Sequence, residues 1–344
     1  MIPRICFITL LLLMAACHQP VDHGKITPAF YYWKQTWTGN SQEQRYLDQL
    51  PAKRLYIKLF DVDLDEVTKA PVPVAIFRKT APLPANVDIV PVVFLMNEVW
   101  AKADSTLAGN VARLVEGLCD SIPGARIPEI QLDCDWTQGT REAYFSFIRQ
   151  IKQTPFFRQR RISATIRMYQ VKYTTRAGIP PVDKGLLMCY NMGDLRKPGT
   201  HNSILDPEVM DSYLGDSRVA EYPLPLDIAL PLFEWSVLFR RDVGYAGILR
   251  NVGAPELKNT KLFAPGPSNL YTVLQDTILN GYSLTKGSVI RRETSDPAAL
   301  TAAAKMVARQ LQTKDPFIIF YHLDSLTLEK YPLNELQEII RLFN

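Results

Sequence analysis

Eight apolar runs, at residues 29–37, 54–62, 87–99, 130–136, 161–169, 185–191, 226–235 and 316–324, recur along the chain with helical or turn-rich stretches between them. Helices are expected at 41–50, 104–120, 139–152 and 207–214; in the second, Leu107, Val111, Leu114 and Leu118 recur at spacings of three and four. Parallel neighbours need long crossovers, so strands alternating with helices imply a parallel sheet. Eight of them without a break predict an α/β fold of the (β/α)8 TIM barrel type. An open, doubly wound sheet is the alternative. No glycine-rich phosphate loop follows the early strands, which counts against the dinucleotide-binding form of that sheet.

Two departures from an ideal barrel are visible. Residues 71–79 form an extra short apolar run in the second connection, and residues 240–315 are longer than one connecting helix requires. Within the longer stretch, 288–293 reads as a strand, and Ser295 or Asp296 can cap a helix over 297–311 whose first turn suits Pro297. A small α+β insertion between strands seven and eight is therefore expected, followed by the closing helix and strand and by an amphipathic helix at 333–343.

Residues 1–17 carry Arg4, an apolar run over 5–14 and Ala15-Ala16-Cys17, the charge, length and small-residue order of a secretion signal. The small residues before Cys17 resemble a bacterial lipoprotein signal, in which that cysteine carries the lipid. The expected organisation is a signal over 1–17, a tether over 18–28 and a single barrel over 29–344, held at the bacterial envelope by its N-terminal lipid alone. The outer membrane, on its periplasmic or surface face, is the expected site. Net charge is +4, with both signs scattered and no basic block, which argues against nucleic acid as a partner. Cys119, Cys134 and Cys189 have no paired spacing and read as buried thiols. The histidines His18, His23, His201 and His322 are dispersed, so neither a metal nor another cofactor is expected. His322, in the last strand, reads as a hydrogen-bonded structural residue or as an acid or base near the cleft.

Barrel enzymes gather their chemistry at the C-terminal ends of the strands. The fourth run holds Glu129-Ile-Gln-Leu-Asp-Cys-Asp-Trp136, in which Gln131, Asp133 and Asp135 share one strand face. A buried carboxylate costs several kcal/mol unless it is paired or hydrogen-bonded, so two on one face call for chemistry or a polar network. Arg167 on the fifth run is placed to approach either. Lys58 on the second is expected to share its face with Tyr56 and Phe60. Glu98 and Glu234 are further carboxylates at the same height, and glycoside hydrolysis usually needs two such groups. Trp33, Trp37, Trp100, Trp136 and Trp235 all fall near strand ends, where a flat indole can stack on a sugar ring; plugging the top of the barrel is the plainer use of the same residues.

On these residues the chain resembles the glycoside hydrolase family 18 barrels, the chitinase-like enzymes. Leu132-Asp133-Cys134-Asp135-Trp136 is similar to the end of the family's acidic strand-four signature, Met188-Cys189-Tyr190-Asn191 to its Met-x-Tyr-Asp element, and Leu230-Pro231-Leu232 to its strand-seven segment. The resemblance implies that Asp133 and Asp135 support the substrate's acetamido group and that Tyr190 bonds it. Thr137 stands where the family carries the glutamate that protonates the glycosidic oxygen, and a threonine hydroxyl does not supply that proton at neutral pH.

The expected function is that of a glycoside hydrolase-like protein acting on a polysaccharide or cell-wall glycan, with Asp135, Asp133 and Glu234 as candidate catalytic residues. Trp33, Trp136, Trp235, Tyr190, Asn191, Arg167 and Glu98 are the candidate sugar contacts. A barrel that binds glycan without cutting it, and an envelope scaffold, are the alternatives. Nothing in the sequence sets an oligomeric state.

Overall fold

A computed structural model describes residues 23–344, so the signal and Cys17 lie outside the described residues. Eight parallel strands form the ring: β1 Thr27–Tyr32, β2 Arg54–Leu64, β3 Asp88–Leu95, β4 Glu129–Asp133, β5 Arg161–Arg167, β6 Lys184–Met188, β7 Leu226–Pro231 and β8 Phe317–Tyr321. Each pairs with the next, and β1 bonds both β2, through Ala29 opposite Arg54, and β8, through Thr27 opposite Phe317. The ring is closed, which settles the choice between a barrel and an open sheet.

Side-chain alternation then sorts residues into two cores. Phe30, Leu55, Ile57, Ile130, Leu132 and Ile162 point outward and are covered by helices. Ala29, Tyr31, Tyr56, Val90, Val92 and Leu186 point inward and fill the barrel. The helix Leu107–Asp120 buries Leu107, Val111 and Val115, one apolar stripe at helical spacing. Helices Pro207–Leu214 and Pro297–Ala308 start alike: Asp206 and Asp296 accept from the first free amides, and a proline that needs no donor follows each.

The register of β2 shifts between Lys58 and Phe60, because Leu59 is an extra residue opposite β3. The bulge reverses the alternation beyond it. Phe60 therefore faces the outer core, contrary to the expectation that it shares a face with Lys58, and Asp61 takes the inward place, 2.8 Å from the Lys58 ammonium. The end of β2 continues above the ring and pairs antiparallel with Pro71–Val74.

Between β7 and β8 a five-stranded antiparallel sheet is built from Glu234–Arg240, Gly244–Leu249, Phe263–Pro265, Leu270–Val273 and Val289–Thr294. It has its own core of Leu238, Leu249, Phe263, Val273 and Ile290. This sheet begins at Glu234, six residues before the expected insertion. Helix Pro297–Ala308 belongs to the barrel's outer layer, since its buried Leu300, Ala303, Ala304 and Val307 join the main core.

Candidate functional site

The interior is ionic at its base and acidic at its mouth. At the base, Arg54 is 2.5 Å from Glu129 and Lys184 is 2.6 Å from Asp227, and both cations lie over the Phe317 ring. These charges satisfy one another across the closed end of the ring. Above them Tyr31 donates to Gln131, and the rings of Tyr31, Tyr56, Trp33 and Tyr321 pack together.

Asp133 ends β4. The pairing of Gln131 with Ser163 and Leu132 with Ala164 brings it beside Thr165, whose hydroxyl donates to it at 2.6 Å. Burial, reinforced by the neighbouring Asp135 charge, pushes its carboxyl up to about 7 against the opposing pull of Thr165 and Arg167. Asp135 lies past the strand end and is half-exposed, its Oδ2 3.0 Å from Arg167 Nη1. The second guanidinium nitrogen of Arg167 donates to the Asn191 carbonyl at 3.0 Å. One arginine thus ties the ends of β4, β5 and β6 together. Of the two aspartates it could have reached, it pairs with the outer one.

Asn191 sits in left-handed backbone at φ 56°, a conformation asparagine tolerates better than most residues, and its side chain is exposed. Tyr190 is buried, stacked on Tyr321 at 5.2 Å between ring centroids and edge-on to Phe233. Burial holds its phenol well above the usual range, so it is a neutral hydrogen-bonding group. Asp135, Arg167, Tyr190 and Asn191 line a cleft of about 360 Å³ that Tyr169 and Tyr213 also border.

The tryptophans divide. Trp33 stands at the mouth, half-buried against Phe94 and Tyr321, with the Lys58 ammonium 5.3 Å from its ring. Trp235 is half-buried on the insertion's first strand and donates to Glu293 at 2.8 Å. Trp136 borders the cleft, but only 2% of it is exposed: its ring packs on Tyr144 and Phe145 and its N–H bonds the Ala177 carbonyl at 2.9 Å. Trp100 also packs on Tyr144, and Trp37 is buried against Tyr32. The expectation that all five gather at the mouth is therefore corrected, because three are buried: Trp100 and Trp136 against the helix Arg141–Ile151, and Trp37 against Tyr32 with its N–H on the Pro82 carbonyl.

Glu234 is held by Arg292 at 2.7 Å and by Lys330. Burial would raise its carboxyl, but the hydrogen bonds and charges of those two cations outweigh burial and hold it below the usual range. It is a pinned carboxylate in a rim ion pair, unsuited to giving up a proton. Glu98 is exposed on the turn Asn97–Ala101 and does not border the cleft. Burial lowers His322 to about 4, so its imidazole is neutral at pH 7. Thr137 is exposed at the cleft edge, and its amide donates to Thr140 Oγ1 at 2.9 Å.

Sequence reasoning did not single out Asp61, Tyr213 or Tyr321; it placed Tyr169 on the face of the fifth strand that carries Arg167, whereas that strand ends at Arg167 and Tyr169 lies on the helix Met168–Lys172. Asp61 was hidden by the bulge. Tyr321, at the end of β8, was findable from strand position alone.

No family model and no curated protein matches the sequence. Solved structures do match in fold. A chitinase from Chromobacterium violaceum is 12% identical with a TM-score of 0.52, over 92% of this chain and 99% of that one. A class V chitinase from Pseudomonas fluorescens is 10% identical, with a TM-score of 0.51 over 92% and 99%. Catalytic domain 2 of the Ostrinia furnacalis Group II chitinase, a mutant in complex with penta-N-acetylchitooctaose, is 12% identical, with a TM-score of 0.50 over 94% and 100%. The chain has the barrel fold of the chitinase-like glycoside hydrolases.

Proposed function

We propose that the protein is an envelope-attached, glycoside hydrolase-like barrel that seats a glycan in the cleft of Asp135, Arg167, Tyr190 and Asn191, and holds the chain without cutting it. One observation carries this reading: the inward acidic positions are already engaged, and the position expected to supply a proton is Thr137. Asp133 is buried on Thr165, Asp135 is paired with Arg167, Asp61 with Lys58, and Glu234 with Arg292 and Lys330.

The Asp135–Arg167 pair suits sugar hydroxyls. Both side chains are more than a third exposed, so the pair itself contributes at most about 1 kcal/mol and opens readily to a ligand. A carboxylate accepts from hydroxyls, a guanidinium donates to them, and the Tyr190 and Asn191 side chains add further polar contacts. Support for a glycan comes also from the shared fold, one example of which holds penta-N-acetylchitooctaose. An oligomer of N-acetylglucosamine is accordingly the first ligand to try. Attachment at the envelope rests on residues 1–17 and Cys17.

A hydrolytic reading is favoured by one observation, the proton that Asp133 retains near pH 7 directly behind Asp135. In that reading the leaving glycosidic oxygen takes up a proton supplied through the Asp133–Asp135 pair, and water adds to the anomeric carbon as the bond breaks. Chromatography of a chito-oligosaccharide after long incubation with the full chain separates the two. Intact oligomer is the expected result; shortened products that disappear in Asp135→Asn would replace binding by hydrolysis.

A further inference from the structure

Tyr169 and Tyr173 are the two exposed aromatic side chains among the described residues, 42% and 37% accessible. Four residues apart, they lie on one face of the helix Met168–Lys172 and the turn after it, with ring centroids 5.0 Å apart and planes at 51°. Tyr169 borders the cleft, so Tyr173 is the next facet outward. Two cations frame the pair. Lys172 donates to the Ser212 carbonyl at 2.8 Å, with its ammonium 5.2 Å from the Tyr213 ring and 5.7 Å from the Tyr173 ring, and the Arg176 guanidinium lies 5.8 Å from Tyr173. Neither cation has a carboxylate partner among the described residues.

An exposed tyrosine face packs on the C–H face of a sugar, and cations without acid partners beside it offer an unmatched charge. We propose that Tyr169, Tyr173, Lys172 and Arg176 form a second subsite, continuous with the cleft, that takes a carboxylate-bearing unit of the same glycan chain. This rests on the glycan reading above and adds a chemical preference to it: the strip favours an acidic polysaccharide over a neutral one.

The test is calorimetric titration of the full chain with an N-acetylglucosamine dimer, the neutral pentamer and the carboxymethylated pentamer. The carboxymethylated pentamer is expected to bind about fivefold tighter than the neutral one at low salt. That advantage should shrink at high salt and vanish in Arg176→Met combined with Lys172→Met. Tyr173→Ala is expected to weaken both pentamers about fivefold and to leave the dimer unchanged. Equal affinity for the two pentamers, or a Tyr173→Ala variant that binds all three ligands as the parent does, would overturn the second subsite while leaving the cleft intact. Failure of all three ligands to bind would overturn the glycan reading and the subsite with it.

Discussion

Asp133 is a carboxyl buried where its charged form is disfavoured. Its folded carboxyl titrates at about 7, whereas in an unfolded chain it titrates at about 3.9. Below pH 4 both states hold the proton and the group costs nothing. As pH rises toward 7 the unfolded state loses its proton first, so stability falls; above 7 the full cost is present. Asp133→Asn keeps an acceptor for Thr165 without the charge. It is expected to be more stable than the parent by about 4 kcal/mol at pH 8, with most of the advantage gone near pH 4, as measured by urea unfolding across that range. A difference that does not change with pH would contradict a buried, proton-retaining Asp133. Asp227, which burial raises to about 6 against the pull of Lys184, adds a shallower fall of the same sign that persists in the variant. Trp136 belongs to a different kind of residue. Enclosed by Tyr144 and Phe145, it should cost about 3–5 kcal/mol of stability on Trp136→Ala, visible in the same unfolding curves.

At the scale of elements, the insertion grips the wall of the cleft. Arg291, fully buried on Val289–Thr294, donates to the carbonyls of Lys197 at 2.5 Å and Leu195 at 3.0 Å, and to Glu293 at 2.5 Å. Glu293 in turn accepts from the Ser203 amide and hydroxyl and from Trp235. The loop so held leads directly from Asn191 and Asp194 at the cleft. Arg291→Met leaves Glu293 buried without its cation and is expected to cost about 3–5 kcal/mol, with faster amide exchange across 191–206. Adding Glu293→Gln should recover part of that loss, and an unchanged exchange pattern would contradict the clamp.

The elements themselves were legible: each of the eight apolar runs overlaps a ring strand, because apolar length and flanking turns suffice to mark a buried parallel strand. Facing was less so. One extra residue, Leu59, reversed the alternation in β2, and no local signal marks such a bulge. The tryptophans misled for a related reason. A residue just past a strand can turn in over the mouth or out beneath a helix, and the choice for Trp100 and Trp136 is made by Tyr144 on a different element. Asp133, Asp135 and Arg167 were legible as a group because polar residues at alternate positions of an apolar strand have few other uses. The specific pairing of Arg167 with Asp135 depended on where β4 stops.

For the whole molecule, a closed ring carries an ionic base, an aromatic middle and a polar mouth, with a clamped insertion over one side. The account's central claim is that this mouth receives a glycan. Calorimetric titration of the full chain with the N-acetylglucosamine pentamer tests it most directly, alongside Arg167→Met and Asp135→Ala. The parent is expected to bind with a single-site isotherm, and each variant to lose at least about tenfold in affinity, the effect of removing a charged partner from sugar hydroxyls. A parent that gives no heat and no competition at millimolar oligomer, or variants that bind as the parent does, would contradict it.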